Sequence, residues 1–245
     1  MTRVLVVQNS PMSGVRRFGD WWRDDGLELD VRPGADGLPE SLEGYDGLVL
    51  FGGGFLPSDD ASAPWLPAER ALAREALAAG IPTLGICLGG QLLAAVADGA
   101  VEGRHGRPER GSTTIETTDA AADDALFADI PRQISMIENH EDSITALPAG
   151  AVLLASSADH TNQAFRLGAA AWGLQFHPEV GAADLAAWKE AALAAEGLDL
   201  AAVRAAADEA EPAAASVART IAANFAASVA RAARIRRPLL ESEQR

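Results

Sequence analysis

The first part of the chain alternates short apolar runs with amphipathic segments. The apolar runs are Arg3–Val7, Leu27–Val31, Gly47–Phe51 and Thr83–Ile86. Their length and their aliphatic, β-branched content are typical of buried strands. Helical periodicity separates some of them, at Val15–Asp24 and Pro67–Ala79. Alternating strands and helices predict an α/β fold in which helices cover both faces of a mostly parallel sheet.

The rhythm changes after Ala100. Shorter strands, some of them antiparallel, are expected at Ser112–Thr117, Gln133–Ile137, Val152–Ser156 and Gln163–Leu167. A last apolar strand at Ala171–Phe176 brings the chain back to the centre of the predicted sheet.

The final part of the chain is rich in alanine. Apolar residues at helical spacing over residues 183–236 predict C-terminal helices that pack on the domain. Interruptions are expected near Gly197 and Pro212, and Pro238–Arg245 is expected to fray. Because no linker or internal repeat divides the sequence, we expect one domain over residues 1–245.

Charge and composition narrow the classes of function. The chain has 245 residues, of which 48% are hydrophobic, and a formal net charge of −15. It can bury a sizeable core, but it would repel a phosphate backbone, so no nucleic-acid partner is expected. No apolar stretch reads as a membrane span or a signal peptide, which makes the cytoplasm the expected location. The single cysteine, Cys87, excludes an intramolecular disulfide and is a candidate nucleophile.

Cys87 lies between a predicted strand and a predicted helix. The stretch Gly85-Ile86-Cys87-Leu88-Gly89 matches the nucleophile-elbow pattern, with cysteine in place of serine. Glycine two residues before and after the cysteine would avoid collisions in so tight a turn. The sulfur would then stand at a helix N-terminus, where peptide dipoles favour the reactive thiolate. A tight turn around a merely buried cysteine is the alternative.

A second motif, His177-Pro178-Glu179, follows the last apolar strand. Residues two apart in extended backbone point the same way, and Pro178 biases His177 toward extended geometry. Glu179 would then orient the imidazole of His177, which would exchange protons with Cys87 and with a leaving amine. A surface turn is the alternative, because so short a motif also occurs by chance.

A strand that ends in Gly52-Gly53-Gly54 supplies a third element. Backbone without side chains lets a substrate approach peptide N–H groups closely. Because the carboxyl ends of parallel strands share one sheet edge, N–H groups of Gly53 or Gly54 and of Leu88 would form an oxyanion hole. A phosphate-binding loop is the weaker alternative, since no G-x-x-x-x-G-K-[ST] pattern follows.

Two other histidines carry no comparable pattern. His105 lies in a loop-like segment without an obvious task, and His160 lies in a polar segment where we expect it to be solvated or to cap a turn. No set of cysteines and histidines has metal-ligand spacing, so neither a metal nor a cofactor is expected.

Taken in chain order, G-G-G after a strand, G-I-C-L-G-G-Q-L-L-A and G-L-Q-F-H-P-E resemble the class I glutamine amidotransferases. Gly52–Asp60, Pro64–Leu66 and Asn162–Arg166 are similar to the stand-alone members that look like the glutaminase half of GMP synthetase. The resemblance covers roughly residues 4–188. It implies a flavodoxin-like three-layer sandwich and attack by Cys87 on a γ-carboxamide, followed by hydrolysis of a γ-glutamyl thioester.

The resemblance also implies a substrate site. Gln91 matches a family glutamine whose side chain helps to hold the amino-acid end of the substrate. Asn139, His140 and Glu141 match a segment that lends backbone atoms to the α-amino and α-carboxylate groups. Gly52 is expected beside the same ligand.

Two departures from the family pattern stand out. Gly90 occupies a position that is commonly His, Met or Ala, and its small size is expected to alter the pocket wall. The segment Glu138–Asp142 is more acidic than in many relatives. Its carboxylates would welcome a cationic amine beyond the scissile bond, with solvated loop charges as the equal alternative.

Three functions remain open at this point. The first is a hydrolase that cleaves glutamine or a γ-glutamyl conjugate in water. The second is a glutaminase subunit that passes ammonia to a separate synthetase partner. The third is a regulatory binding protein with a vestigial triad, against which the intact Cys87, His177, Glu179 and Gln91 argue. No segment resembles an ATP-pyrophosphatase, so this chain alone is not expected to make GMP.

Overall fold

The computed structural model describes residues 2–243, with side chains through Arg236. Its strands are β1 (Thr2–Gln8), β2 (Leu27–Pro33), β3 (Gly47–Leu50), β4 (Thr83–Ile86), β5 (Ala100–Glu102), β6 (Glu109–Thr117), β7 (Gln133–His140), β8 (Ser143–Ala146), β9 (Val152–Ser157), β10 (Ala164–Leu167) and β11 (Ala171–Leu174). Its α-helices are α1 (Arg16–Asp24), α2 (Leu66–Ala79), α3 (Leu88–Val96), α4 (Glu190–Ala195) and α5 (Leu200–Glu243). Short 3₁₀ turns lie at Gly34–Asp36, Asp119–Asp123 and Ala182–Ala187.

Nine of these strands form one sheet in the order β2-β1-β3-β4-β11-β10-β9-β6-β7. The first five strands of that order are parallel to one another, and the remaining neighbours pair antiparallel. The parallel part carries β3, β4 and β11, so the segments that follow these strands leave the sheet at one edge. That edge is where ligands bind in sheets of this type.

Helices cover both faces of the sheet. Val4 and Val6 of β1 belong to a buried cluster that includes residues of α1 and α5, such as Trp22. Leu5 and Val7, which point the opposite way, join a second cluster with residues of α2 and α3. The predicted three-layer α/β sandwich is therefore confirmed, and the alternation along β1 is its simplest expression.

The structure adds two elements that the sequence did not predict and changes one that it did. Strands β5 and β8 form a small separate antiparallel sheet; β5 has no apolar run because it is short and mostly exposed. The interruption near Gly197 is confirmed, since Gly197 has φ 77° between α4 and α5. The interruption near Pro212 is wrong, because α5 runs through that residue without a break.

Apolar packing explains why α5 tolerates Pro212. A proline inside a helix removes one backbone hydrogen bond and costs ~3 kcal/mol. Beyond it, one face of α5 is fully buried against the sheet and α1, through Ala218, Ile221, Phe225 and Val229. Burying each large apolar side chain contributes about 1.5–3 kcal/mol, so packing outweighs the lost bond.

The length of α5 bears on two other expectations. Length and composition alone would allow residues 200–236 to cross a membrane, although half of the most apolar window is buried inside the protein. The expectation that no stretch is long enough for a span is therefore wrong on length, and packing on the sheet accounts for the apolar face. The fraying expected at Pro238–Arg245 is not seen in the backbone through Glu243, while residues 244–245 lie outside the described residues.

Candidate active site

Cys87 occupies the sharp turn between β4 and α3. Its backbone has φ 53° and ψ −112°, a conformation that L-residues rarely adopt and that a surrounding structure has to enforce. The residue stands at the N-cap of α3, and its side chain is almost fully buried, with 8% of the residue exposed. The predicted elbow is therefore present, with the sulfur at a helix N-terminus.

The glycines on either side of the cysteine are required by close backbone packing. A Cβ on Gly85 would lie 2.4 Å from the carbonyl oxygen of Gly89, and one on Gly89 would lie 2.0 Å from the carbonyl oxygen of Leu50. Both distances are far below van der Waals contact, and both partners are backbone atoms that cannot step aside. The steric reason predicted for the G-x-C-x-G pattern is confirmed.

Gly90 does not alter the pocket wall, contrary to expectation. A Cβ at this position would meet the carbonyl oxygen of Leu174 at 2.8 Å, so the residue faces β11 rather than the cavity. Its small size lets α3 approach the sheet closely. The sequence pattern could not tell these two sides of the helix apart.

His177 and Glu179 come together as predicted, by a different route. Nδ1 of His177 donates to Oε1 of Glu179 at 2.8 Å. The strand β11 ends at Leu174, and the motif folds as a turn closed by the N–H of Val180 on the carbonyl oxygen of His177 at 3.2 Å. The extended geometry inferred from Pro178 is therefore wrong, and a turn brings the carboxylate to the ring.

The electrostatics of His177 suit a general base. Burial alone would lower its pKa, but the Glu179 carboxylate and a hydrogen bond with Cys87 outweigh burial and raise the pKa well above its ordinary value of 6.5. The N–H of His177 also donates to the carbonyl oxygen of Ile137 at 2.8 Å, which fixes the residue against β7. Sulfur, imidazole and carboxylate thus form one continuous chain of side chains.

Long side chains from α1 and α5 hold the turn that carries Glu179. Nε of Arg17 donates to the carbonyl oxygen of Pro178 at 2.7 Å, and its Nη1 donates to Glu211 at 2.9 Å. The other carboxylate oxygen of Glu211 accepts the N–H of Ala182 at 2.9 Å. We call Arg17 and Glu211 the loop clamp. Sequence reasoning missed both, because neither lies in a motif.

The glycine loop after β3 faces the same site. A Cβ on Gly52 would meet Cε1 of His177 at 3.2 Å and Cβ of Cys87 at 3.4 Å. Among the described residues, no acceptor bonds the N–H of Gly53 or Gly54. The N–H of Leu88 belongs to the first turn of α3, where helical donors lack an intrahelical partner. These three N–H groups remain the predicted oxyanion donors.

Asn9 supports the glycine loop from below and was also missed. Its Nδ2 donates to the carbonyl oxygen of Phe51 at 3.0 Å and to Glu69 at 2.9 Å, while Nε1 of Trp65 donates to its Oδ1 at 2.7 Å. A Cβ on Gly53 would lie 2.9 Å from Cβ of Asn9. A polar residue directly after the first strand was the only signal in the sequence.

The site opens into a cavity of about 410 Å³. Of the five predicted substrate residues, Gly52 and Asn139 line it. Gln91 is buried, and its Nε2 donates to the carbonyl oxygen of Asp142 and to Gln175, both at 3.1 Å. His140 is also buried behind the wall, and Glu141 is half-exposed beside Arg104. The roles of these five residues stay predictions.

The acidic segment Glu138–Asp142 does not present carboxylates to the cavity. Glu138 is fully buried, and burial together with the nearby charge of Glu109 raises its pKa well above its ordinary value. Oδ1 of Asp142 accepts the N–H of Arg104 at 2.9 Å, and Glu141 pairs with the same arginine at 3.4 Å. The hypothesis that this segment welcomes a cationic amine is therefore wrong.

A buried polar network lies behind the acidic segment. Glu109, His140 and His160 offer ligand-type atoms within 4.8 Å of one another, although their spacing in sequence suggested no such set. Each ring nitrogen already faces a protein group: His140 faces Asp142 and Glu109, and His160 faces Arg107 and Ser143. His160 is therefore a buried network residue, and the expectation that it is solvated is wrong.

Comparison with known proteins agrees with this geometry. Residues 22–186 match the family model described as glutamine amidotransferase class-I. The chain is 33% identical over 160 residues to a separately encoded subunit of the glutamine-hydrolysing GMP synthase of Saccharolobus solfataricus, covering 63% of this chain and 78% of that protein. It is 38% identical over 144 residues to the GMP synthase of Porphyromonas gingivalis, covering 58% of this chain. That match spans only 26% of the longer synthase.

A solved structure extends the likeness to nearly the whole fold. A glutamine amidotransferase from Thermotoga maritima superposes with a TM-score of 0.82 at 29% identity, covering 92% of this chain and 98% of the other. A second one, from Methylobacillus flagellatus, gives a TM-score of 0.78 at 27% identity over 92% of this chain. The chain belongs to the class I glutamine amidotransferase family.

Proposed function

We propose that this chain is a cysteine amidohydrolase that cleaves the γ-amide of glutamine or of a γ-glutamyl conjugate. The observation that carries the proposal is the contact chain from Cys87 through His177 to Glu179 along the wall of a cavity. Membership of an amidotransferase family supports the same chemistry.

The proposed reaction has two halves. The thiolate of Cys87 attacks the γ-carbonyl carbon, and the resulting oxyanion is stabilised by N–H groups of the glycine loop and of Leu88. Collapse of this intermediate breaks the C–N bond, and the imidazolium of His177 gives its proton to the leaving amine. Water then attacks the γ-glutamyl thioester while His177 takes up a proton, and glutamate leaves as the thiolate is restored.

Replacement of the nucleophile tests this reaction directly. Cys87→Ala should lower the rate of γ-amide cleavage by at least about 10⁴-fold, because no other described side chain stands at the elbow. A panel of γ-glutamyl amides, with mass detection of a trapped γ-glutamyl adduct on Cys87, identifies the intermediate. Unchanged melting of the variant shows that the fold survives. Wild-type rates in Cys87→Ala would refute the proposal.

A glutaminase component of a two-chain synthetase is the second candidate. The similarity to the Saccharolobus solfataricus protein, over 78% of that protein's length, favours it. In that case the released ammonia would pass to a separate synthetase chain. Strong stimulation of glutamine hydrolysis by a co-purified synthetase would support this candidate, whereas full activity of the isolated chain would support the self-sufficient hydrolase.

A further inference from the structure

One wall of the cavity comes from a part of the chain that the family model does not match. Trp188, Lys189, Ala192, Leu193 and Glu196 all line the cavity, and all follow residue 186, where the match ends. Chemistry shared by the whole family has to depend on the matched region. The additional wall is therefore suited to recognising a part of the substrate that differs between members.

The size of the cavity leaves room for such a part. About 410 Å³ lies within the range of pockets that hold drug-sized ligands, ~300–1,000 Å³. The side chain of Leu193 is buried and that of Trp188 is half-buried, so the wall offers apolar surface on either side of Lys189. A substituent on the amide nitrogen could rest there.

Most charges that line the cavity neutralise one another. Nη1 of Arg16 lies 2.6 Å from Oδ1 of Asp184, and Nη2 of Arg110 lies 2.9 Å from Oε1 of Glu196. Each pair joins two residues of the lining, so neither guanidinium is left for an anionic ligand without breaking its pair.

The third carboxylate of the lining, Glu179, is bonded to His177 at 2.8 Å. This leaves Lys189, whose ammonium has no carboxylate within 4.0 Å among the described residues. The lining thus carries one uncompensated positive charge, in a chain with a formal net charge of −15.

The identity of that residue is unusual for this sequence. Of its 20 basic Lys and Arg residues, Lys189 is the only lysine. An ammonium on a flexible stem can reach a ligand carboxylate from several directions, whereas a guanidinium is the better partner for a fixed neighbouring carboxylate. The arginines of the lining are used in the second way, and Lys189 remains available for the first.

We propose that the leaving amine of the substrate bears an acidic group that binds Lys189, so that the substrate is a γ-glutamyl amide of an acidic amine. This inference rests on the proposed function and deepens it. It reverses the sign of the leaving group that the acidic segment Glu138–Asp142 had suggested. The carboxylates of that segment are buried or paired away from the cavity, while the uncompensated charge in the lining is positive.

The test compares matched probes that differ in charge. The purified chain is given γ-glutamylglycine, which carries a leaving-group carboxylate, and γ-glutamylethylamide, which is neutral and of similar size. The wild type should prefer the anionic probe in kcat/KM by about fivefold, the upper range for a solvent-accessible ion pair. High salt should weaken the preference, because exposed charges are screened.

Variants assign the preference to one residue. Lys189→Ala should remove the preference, Lys189→Arg should largely retain it, and Lys189→Glu should invert it. Arg132→Ala is the control: it also removes one positive charge, from an exposed side chain that pairs with Asp119 and is absent from the cavity lining. It should leave the ratio between the probes unchanged.

Three results would overturn the inference, and they differ from failure of the proposed function. A wild type without charge preference is one. A preference that survives Lys189→Glu is another. An equal rise in KM for both probes in Lys189→Ala would assign the lysine to the glutamyl carboxylate, which all substrates share. Cleavage of neither probe would instead refute the proposed function, together with the inference built on it.

Discussion

The two sides of the active site are built by different means. The nucleophile side is a single stretch of chain, from β4 through Cys87 into α3, fixed by backbone packed on backbone. The base side is a turn around His177 and Glu179 that depends on side chains reaching in from α1 and α5, from Arg17 and Glu211. Local contacts determine the first side, and long-range contacts determine the second.

This difference predicts how each side responds to substitution. Backbone packing leaves no room for adjustment, so small changes on the nucleophile side should disrupt the fold itself. A turn held by side chains can shift and still fold, so changes on the base side should alter rate more than stability. Three experiments separate these outcomes.

The largest expected effect is on the rate, through the triad. His177→Gln should lower kcat by about 10⁶-fold and Glu179→Gln by about 10⁴-fold, the sizes that triad replacements show in other hydrolases. The difference follows from their tasks, since His177 moves protons and Glu179 orients the ring. Steady-state kinetics with glutamine measure both. A loss at Glu179 equal to that at His177 would contradict this division.

The same pair predicts a pH dependence. Because the folded-state pKa of His177 is raised, its imidazolium persists above the ordinary value of 6.5 and is lost only as pH rises through the raised value. The alkaline limb of kcat/KM should therefore lie above pH 6.5. In Glu179→Gln the largest raising influence is gone, so this limb should move to lower pH. An unmoved limb would exclude His177 as its origin.

The next effect concerns stability on the nucleophile side. Gly89→Ala should destabilise the fold by more than about 4 kcal/mol, because its Cβ would sit 2.0 Å from the carbonyl oxygen of Leu50 and would force α3 away from β3. Denaturant unfolding measures the change. Gly54→Ala is the control, since a Cβ there meets nothing within 4 Å, and its stability should change by less than about 0.5 kcal/mol. Similar losses in both variants would contradict the steric argument.

The smallest effect concerns the loop clamp. Arg17→Gln and Glu211→Gln should each lower kcat about tenfold with little change in KM, because the turn that carries Glu179 loses its anchor. Arg219→Gln is the matched control, as Arg219 also joins α5 to α1, through Asp25, but far from the turn. If all three variants had the same kcat, the clamp would have no positioning role.

The contrast between local and long-range contacts also explains what the sequence could predict. The bounds of β4 and the need for Gly85 and Gly89 follow from a strand, a turn and a helix within one short stretch, and all are confirmed. The clamp joins residues 194 apart, Arg17 and Glu211. No pattern in one sequence indicates that such residues meet.

The acidic segment shows a second limit. The sequence predicted a strand that ends at Ile137, because Glu138 and Asn139 argue against a buried strand by composition. In the structure β7 continues to His140, and its alternation turns Glu138 and His140 inward while Asn139 remains exposed. Hydrogen bonds from other strands, such as that between Glu109 and His140, make burial possible. Tertiary partners of this kind override local propensity.

The composition of the cavity lining has a practical consequence. The chain contains one cysteine and one lysine, Cys87 and Lys189, and both line the same cavity. A thiol-reactive label and an amine-reactive label would therefore report on opposite walls of one chamber, without engineered residues. Heterobifunctional reagents of graded length could bridge the two side chains, and the shortest reagent that succeeds would act as a molecular ruler for the chamber in solution.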